Sequence, residues 1–119
     1  MKTIEVAKAT GITLNWMVAK CEGKVVNQRH RAYQGLIKGM WGAIRYKPST
    51  DWSQGGPIIG RERISLDQFK GHPCRAYLGT PVRYEHAMFA PEGEPLIAAM
   101  RCYVASKLGE RVEVPEDLE

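Results

Sequence analysis

The sequence lacks any long apolar run. Its most apolar stretch, Pro95 to Met100, is interrupted at Arg101, well short of the roughly 20 residues that a membrane-spanning helix needs. Residues 1–6 also lack the apolar segment and the small-residue cleavage site of a secretory signal. The sequence therefore predicts no membrane partner, and we expect the protein in the cytoplasm.

Cysteine is scarce, and its spacing excludes two common uses. The chain has three cysteines, Cys21, Cys74 and Cys102, and no two of them are close in sequence. Neither a full disulfide framework nor a Cys-x-x-Cys zinc half-site is therefore available. We expect reduced thiols. Cys21 and Cys102 fall in predicted helices, where a thiol behaves as a small apolar side chain.

The chain also lacks internal repeats, low-complexity segments and linkers rich in Ser or Gly. Its 119 residues, 44% of them apolar and 25% charged, suit one domain with a real core rather than a disordered chain. We therefore expect residues 1–119 to form a single domain.

Charge is unevenly distributed around a net value of +4. Basic residues dominate from Lys24 to Arg63, whereas the end, Glu110 to Glu119, carries five acidic residues against one arginine. This pattern predicts a basic side and an acidic tail. It is compatible with nucleic acid as a partner.

The amino-terminal part predicts a strand followed by a helix. Apolar and polar side chains alternate over residues 2–6, as in a half-buried strand. Thr10 is a candidate N-cap for a helix that runs to about Cys21 and is closed by Gly23.

The middle of the chain has a weaker pattern. Residues 25–26 indicate a short strand, the rest of 24–40 reads as loop, and residues 43–47 indicate another strand. Residues 48–57 are the longest run of turn-forming and polar residues, which predicts a loop whose backbone closely approaches something. A short helix is then expected over 57–63, with proline at its first position.

The last half predicts an antiparallel sheet and one long helix. The strands are expected around Ile64 to Leu66, Arg75 to Leu78 and Val82 to Phe89, with an edge strand at Val112 to Val114. The helix from Pro95 to Leu108 is apolar on nearly all sides, so it is either the central packing helix or an oligomer interface. The predicted fold class is α+β: a single domain with a small antiparallel sheet packed on a buried C-terminal helix and an N-terminal helix.

The 48–63 segment carries the predicted ligand site. Hydroxyl, carboxylate and amide groups surround a tryptophan that can stack on a base or sugar, glycines expose backbone amides, and two arginines can clamp a phosphate or carboxylate. The predicted ligand-binding residues are Ser49, Thr50, Asp51, Trp52, Gln54, Gly55, Gly56, Arg61 and Arg63. The alternative is structural, with Asp51 capping a turn, Trp52 filling the core and the glycines only turning the chain.

Metal and nucleophile chemistry finds little support in the sequence. A zinc site would need His30, His72, Cys74 and His86 to converge, and their spacing fits no standard module. Cys74 has basic neighbours, but nothing supplies the third, orienting group of a nucleophile, and an exposed incidental thiol is expected.

Other enzyme motifs are missing as well. Asp51, Glu62, Asp67 and Glu85 lie in different predicted elements, so no acid–base pair is evident. Gly55-Gly56 lacks the Lys-Ser or Lys-Thr of a phosphate-binding loop. We therefore predict a non-enzymatic protein with no catalytic residues, no metal and no cofactor.

Three blocks of the sequence resemble a known family. They are PLIAAMRCYVASKLGERVEVP at 95–115, PSTDWSQGGPII at 48–59 and LNWMVAKCEG at 14–23, and together they resemble the NinX-like family of lambdoid phages and prophages, a domain of unknown function. Gly60 departs from the acidic residue expected before Arg61-Glu62, which implies a different specificity if that position contacts a ligand. The resemblance implies a phage accessory protein in the bacterial host cytoplasm, with a dispensable helper role.

Three functional hypotheses follow from these observations. The first is a binder of a small anionic or nucleotide-type molecule, one that sequesters a host immune signal through the 48–63 segment. The second is a regulator that binds nucleic acid or a host protein through a basic side with Arg29, Arg31, Lys38 and Arg45, although no known aromatic-and-basic module is visible. The third is a hydrolase or transferase that depends on Cys74, Asp51 or Glu62. The apolar last helix also favours a homo-oligomer.

Overall fold

The computed structural model describes residues 1–24, 36–39, 42–116 and 118. Within these ranges the chain forms three α-helices, a short 3-10 helix and seven β-strands. The helices are α1 (Gly11–Cys21), α2 (Trp52–Glu62) and α3 (Pro95–Leu108), with the 3-10 helix at Val6–Lys8. The strands are β1 (Lys2–Glu5), β2 (Leu36–Gly39), β3 (Gly42–Arg45), β4 (Ser65–Asp67), β5 (Cys74–Thr80), β6 (Arg83–Ala90) and β7 (Arg111–Val114). The α+β prediction is confirmed.

The strands form three small antiparallel sheets rather than the single sheet expected. β1 pairs with β7, β2 pairs with β3, and β4, β5 and β6 form a three-stranded sheet in that order. The pairing of Ile4 with Val112 brings the two ends of the chain together. β1 and β7 lie far apart in sequence and leave no local pattern, so their pairing was not predictable.

Helix α3 is the central packing element, as its composition predicted. It packs against β5, β6, α1 and α2, and Met100, Cys102 and Val104 are fully buried. Its apolar surface is therefore covered within one chain. The homo-oligomer suggested by that surface remains a prediction. No helix in the described ranges has the length and apolarity to cross a bilayer.

Arg101, which interrupts the apolar run of α3, is buried inside the fold. Its Nε donates to the Ala9 carbonyl over 2.8 Å, and its Nη1 donates to the Phe89 carbonyl over 2.6 Å. Burial lowers the pKa of this guanidinium from its ordinary value. Hydrogen bonds to backbone carbonyls compensate part of the cost of desolvating its charge and tie α3 to two other segments.

The amino-terminal helix agrees with its prediction except at its cap. Thr10 occupies the N-cap position of α1, but its hydroxyl makes no capping hydrogen bond. At the other end, Gly23 adopts a φ of +68°, and its amide donates to the Lys20 carbonyl over 3.2 Å. The closing role expected of this glycine is confirmed.

The expected loop over 48–57 is wrong in its second half, because α2 begins at Trp52. Asp51 caps the helix, since its Oδ1 accepts from the Ser53 amide over 2.9 Å. Pro57 consequently lies inside the helix instead of starting it, which removes the amide that would bond the Ser53 carbonyl. Local propensity disfavours this glycine-rich helix, so its cap and its packing must stabilise it.

The middle of the chain departs from prediction at one further strand. The strand suggested at Val25 and Val26 lies outside the described residues. Strand β2 forms where a loop was expected, because Ile37 is buried and pairs with Ile44 of β3. The predicted strand at 43–47 corresponds to β3, which ends at Arg45.

Candidate functional site

The predicted 48–63 site is divided between the two ends of α2. Ser49, Thr50 and Trp52 line a small cavity of about 200 Å³ at the start of the helix. Arg61 lies in the last turn, about 13 Å further along the axis at 1.5 Å per residue. The helix therefore separates the predicted stacking residue from the predicted phosphate clamp.

Arg61 is occupied by carboxylates of the protein itself. Its Nη1 and Nη2 donate to the two oxygens of Glu22 over 3.1 and 2.6 Å, and its Nε donates to Glu62 over 2.8 Å. These hydrogen bonds raise the pKa of Arg61 above its ordinary value. An anionic ligand would have to displace both acids, so Arg61 is better explained as a structural tie.

The other residues of the segment have varied environments. Arg63 ends α2 in the left-handed conformation with a φ of +56°. The Gln54 side chain bonds the backbone on both sides of Tyr46, donating to the Arg45 carbonyl over 2.9 Å and accepting from the Lys47 amide over 2.6 Å. These contacts anchor the helix, so part of the predicted set has a structural role.

The surroundings of Gly55, Gly56 and Trp52 help to decide whether this segment binds a ligand or has only a structural role. Gly55 is buried, and a Cβ there would lie 2.3 Å from the Pro48 carbonyl oxygen. The close approach expected at this loop is therefore an approach of the chain to itself. Trp52 is 53% exposed, so the alternative in which it fills the core is wrong, and its indole remains accessible to a ligand. Gly56 lies next to the Trp52 ring.

A larger cavity, which the sequence did not indicate, opens against one face of the three-stranded sheet. It has a volume of about 610 Å³, within the roughly 300–1,000 Å³ typical of small-molecule sites. Its lining residues are Asp67, Phe69, Lys70, His72, Pro73, Arg75 and Phe89. The strand register places Asp67, Arg75 and Phe89 side by side across β4, β5 and β6.

Two exposed aromatic rings dominate this cavity. Phe69 is 65% exposed and Phe89 is 55% exposed. Phe89 points outward because successive residues of β6 alternate between faces, with Met88 and Ala90 buried. Two phenylalanines left in water beside a ligand-sized cavity indicate a surface that becomes covered.

Arg75 is held rigidly at the side of the cavity. Its Nε donates to Asp67 over 3.0 Å, and its guanidinium carbon lies 4.4 Å from the centre of the Tyr84 ring. Tyr84 in turn packs edge-to-face on Tyr77, with ring centres 4.6 Å apart. The hydrogen bonds that Arg75 donates to the Asp67 carboxylate raise the pKa of Arg75 above its ordinary value. The Asp67–Arg75 ion pair holds the planar guanidinium in place, and the two charges largely cancel. Lys70 and His72 are the other basic residues of the cavity wall.

The residues considered for metal or nucleophile chemistry have other surroundings. Cys74 is buried at the start of β5, so the expectation of an exposed thiol is wrong. His72 and Cys74 line an adjoining cavity of about 220 Å³, and no three metal-ligating side chains converge within the described ranges. His30, the remaining candidate besides His86, lies outside those ranges.

The four candidate carboxylates do not assemble into one site. Asp51 caps α2, Glu62 pairs with Arg61 and Lys107, and Asp67 pairs with Arg75. Glu85 lies exposed on β6. Three of these carboxylates are already engaged, each in a different part of the fold.

One sequence signal concerns a single residue of the larger cavity, Phe89, and does not locate the cavity itself. Alternation in β6 places Phe89 on the face opposite to buried Met88, and Arg75 pairs with Phe89 across the sheet. From the sequence alone this alternation predicts that Phe89 is exposed to solvent, whereas its pairing with Arg75 is known only from the structure. Phe69 lies in the turn between β4 and β5 and carries no such pattern.

Together these features define a small α+β protein with an aromatic-lined surface cavity. The family model described as Bacteriophage P22, NinX matches residues 5–107. Because that match spans most of the chain, the protein belongs to the NinX family of phage proteins, and the resemblance seen in the sequence is confirmed. No curated protein matches the chain.

Proposed function

We propose that this phage protein is a non-enzymatic binder of a small anionic, nucleotide-type ligand, held in the cavity between Phe69 and Phe89. The observation that carries the proposal is the pair of exposed phenylalanines on a cavity of about 610 Å³ beside three basic side chains. Membership of a phage family suggests its purpose, which is to sequester a host nucleotide signal and so antagonise host defence.

The aromatic rings account for recognition of a base. Every nucleobase has a flat face, and stacking on an aromatic side chain contributes about 1–3 kcal/mol per base in single-stranded nucleic acid complexes. Phe69 comes from the turn after β4 and Phe89 from β6, so the two rings approach the cavity from separate elements. A base between them would cover apolar surface that now faces water.

The basic residues account for recognition of a phosphate. Asp67 already compensates the charge of Arg75, which leaves Lys70 to attract an anion, with the His72 imidazole beside it in the wall. Arg75 can still offer guanidinium donors that are held in place by its stack on Tyr84. The combination of one apolar slot and a few positioned polar groups is typical of small-molecule sites.

The first experiment is a thermal-shift screen of the purified protein against nucleotides, cyclic dinucleotides and ADP-ribose derivatives. A ligand at 100 times its dissociation constant is expected to stabilise the fold by about 2.7 kcal/mol. Phe69→Ala and Phe89→Ala should remove the shift. Val82→Ala, at a fully solvent-facing apolar residue in the turn after β5, is the matched control and should retain it.

A second measurement separates sequestration from catalysis. The protein is incubated with the ligand found in the screen and then denatured, and the small molecules are analysed by chromatography. Recovery of the ligand intact supports a binder, whereas recovery of a converted product makes the protein an enzyme and contradicts the proposal. A panel that gives no shift, or a shift that survives both phenylalanine substitutions, also contradicts it.

The alternative function is a regulator that binds nucleic acid or a host protein. Lys38 and Arg45 of its predicted basic side are exposed on the β2–β3 hairpin, and Arg29 and Arg31 lie outside the described residues. Binding of short nucleic acids that weakens steeply with salt and is lost in Arg45→Ala would favour this alternative. Loss of nucleic-acid binding in Phe89→Ala would instead place the bound nucleic acid on the three-stranded sheet.

A further inference from the structure

The cavity between Phe69 and Phe89 adjoins a smaller, more polar one. Phe69, Lys70 and His72 form the wall that the two cavities share. The other lining residues of the smaller cavity are Gln68, Cys74, Glu92 and Gly93. Its volume of about 220 Å³ is below the roughly 300–1,000 Å³ of sites that enclose whole small molecules. The smaller cavity therefore suits one part of a ligand whose remainder lies in the larger cavity.

The shared wall is a hydrogen-bonded turn between β4 and β5. The His72 amide donates to the Phe69 carbonyl over 3.0 Å, and Gly71, the third residue of the turn, has a φ of +83°. A positive φ at this position is typical of a type II turn and favours glycine. The turn therefore presents Phe69 and Lys70 at defined positions between the two cavities.

Glu92 contacts this turn from the loop that follows β6. Its Oε2 accepts a hydrogen bond from the Gly71 amide. A carboxylate has two oxygens with about four lone pairs in all, so Glu92 retains acceptor capacity toward the cavity that it lines. Because the residue is exposed to solvent, a ligand in the smaller cavity can reach this carboxylate.

The carboxylate of Glu92 decides which part of a nucleotide the smaller cavity accepts. An ionised carboxylate accepts hydrogen bonds and donates none, and it repels a phosphate. Sugar hydroxyls are neutral donors, and acidic side chains bind the ribose hydroxyl of dinucleotides in other folds. The Gln68 side chain lines the same cavity and adds another acceptor. The base is thus left to the phenylalanines and the phosphate to Lys70.

We propose that the ligand is a ribonucleotide and that its ribose hydroxyls donate to Glu92 in the smaller cavity. The inference rests on the proposed function, because it takes the base to lie between Phe69 and Phe89. It adds a specificity-determining residue, Glu92, that lies outside the 48–63 segment and outside the larger cavity. A deoxyribonucleotide lacks one of the hydroxyl donors and should bind less tightly.

The test compares adenosine monophosphate with 2′-deoxyadenosine monophosphate on the full chain. Dissociation constants are measured by titrations followed in two-dimensional NMR, for wild type and for Glu92→Ala. Wild type should bind the ribonucleotide roughly three- to tenfold more tightly, the effect of one solvent-accessible hydrogen bond. In Glu92→Ala this preference should disappear, because the 2′-hydroxyl has lost its acceptor.

Two further variants separate recognition of the sugar from positioning of the turn. Glu92→Gln keeps a carbonyl oxygen for the Gly71 amide but removes the charge, so it should retain the turn and lower the preference for ribose. Glu85→Gln removes an exposed carboxylate of β6 and should leave both dissociation constants unchanged. If Glu92 only held the turn in place, Glu92→Ala would weaken the binding of both nucleotides by the same factor.

Each outcome decides for or against the inference. A preference for ribose that depends on Glu92 supports it. Equal binding of the two nucleotides by wild type overturns it, as does a preference that survives in Glu92→Ala, whether or not binding weakens. Absence of binding by both nucleotides also overturns it. The proposed function is decided separately, by the screen over the full nucleotide panel and the two phenylalanine variants.

Discussion

Arg61 donates two hydrogen bonds to the carboxylate of Glu22, a residue 39 positions earlier in the chain. The contact joins the last turn of α2 to the residue that caps α1. The Tyr103 hydroxyl of α3 donates to the same carboxylate and accepts from Arg61 Nη2 over 3.2 Å. One carboxylate thus connects all three helices, and the arginine that the sequence offered as a ligand clamp is part of this connection.

Removal of the arginine tests the structural role. Arg61→Ala should lower the free energy of unfolding by about 1–2 kcal/mol, more than an ordinary surface pair, because Glu22 is mostly buried and would lose a bidentate partner. Chemical denaturation measures the change. Arg83→Ala, at an exposed arginine of β6, should change stability little. Equal free energies of unfolding for Arg61→Ala and Arg83→Ala would contradict a structural role for the Arg61–Glu22 ion pair.

The same cluster predicts how stability depends on pH. Burial raises the pKa of Glu22, but hydrogen bonds from Arg61 and Tyr103 outweigh burial and leave the pKa below its ordinary value of 4.5. A carboxyl with a lowered folded-state pKa contributes stability above its ordinary pKa, and this contribution is lost as the pH falls through the folded-state value.

Glu22→Gln isolates that contribution. The variant should be less stable than wild type at neutral pH, and the difference should shrink as the pH falls below 4.5. Denaturation midpoints measured across this acidic range provide the comparison. A difference that stays constant with pH would show that the ionised form of Glu22 adds nothing beyond its shape.

Two glycines of α2 form a matched pair for packing. A Cβ at Gly55 would lie 2.3 Å from the Pro48 carbonyl oxygen and 2.7 Å from Leu96 Cδ2, whereas a Cβ at Gly60 meets no atom within 4 Å. Gly55→Ala should therefore destabilise the fold by about 1–3 kcal/mol, the cost of overpacking. Gly60→Ala should stabilise it by about 0.5–1 kcal/mol, since alanine favours a helix interior.

Thermal or chemical denaturation of the two variants measures both changes. Similar stabilities would mean that Pro48 and Leu96 can move aside, and that α2 is not seated closely on the start of α3. The same contact shapes the small cavity lined by Ser49 and Leu96 at the starts of the two helices.

The thiols should be inert in the folded protein. Burial raises the pKa of Cys21 and of Cys102 to about 12, and the thiolate is the reactive form. Iodoacetamide at neutral pH should therefore label both slowly, with labelling of all three cysteines after denaturation as the control. Mass spectrometry of the intact protein gives the count. Labelling of Cys102 at the rate of free cysteine would contradict its burial.

Several elements were predictable because they depend on short-range patterns. The apolar run of α3, bounded by Pro95 and Gly109, indicates a buried helix wherever it packs, and alternation places strands near β5 and β6. The start of α2 was missed for a physical reason. Its three glycines and Pro57 disfavour a helix locally, and only the Asp51 cap and the contacts of Gly55 and Ile58 make it form.

The candidate sites were less predictable than the fold. Ser49, Thr50 and Trp52 do share one cavity, as their proximity in sequence suggested. Arg61 does not join them, because helical rise carries it to Glu22 at the far end of α2. The Phe69–Phe89 cavity unites residues from a turn and a strand 20 positions apart, and no local pattern reports such a meeting.

By itself the sequence determined the α+β class, the buried last helix and the membership of the NinX family. These properties follow from composition, periodicity and residue identity, which can be read directly from the sequence. Only the tertiary structure decided which strands pair, which arginine is bound by a carboxylate and which aromatic rings face water. Each of these depends on the distance between residues far apart in sequence, and that distance is set by packing around α3.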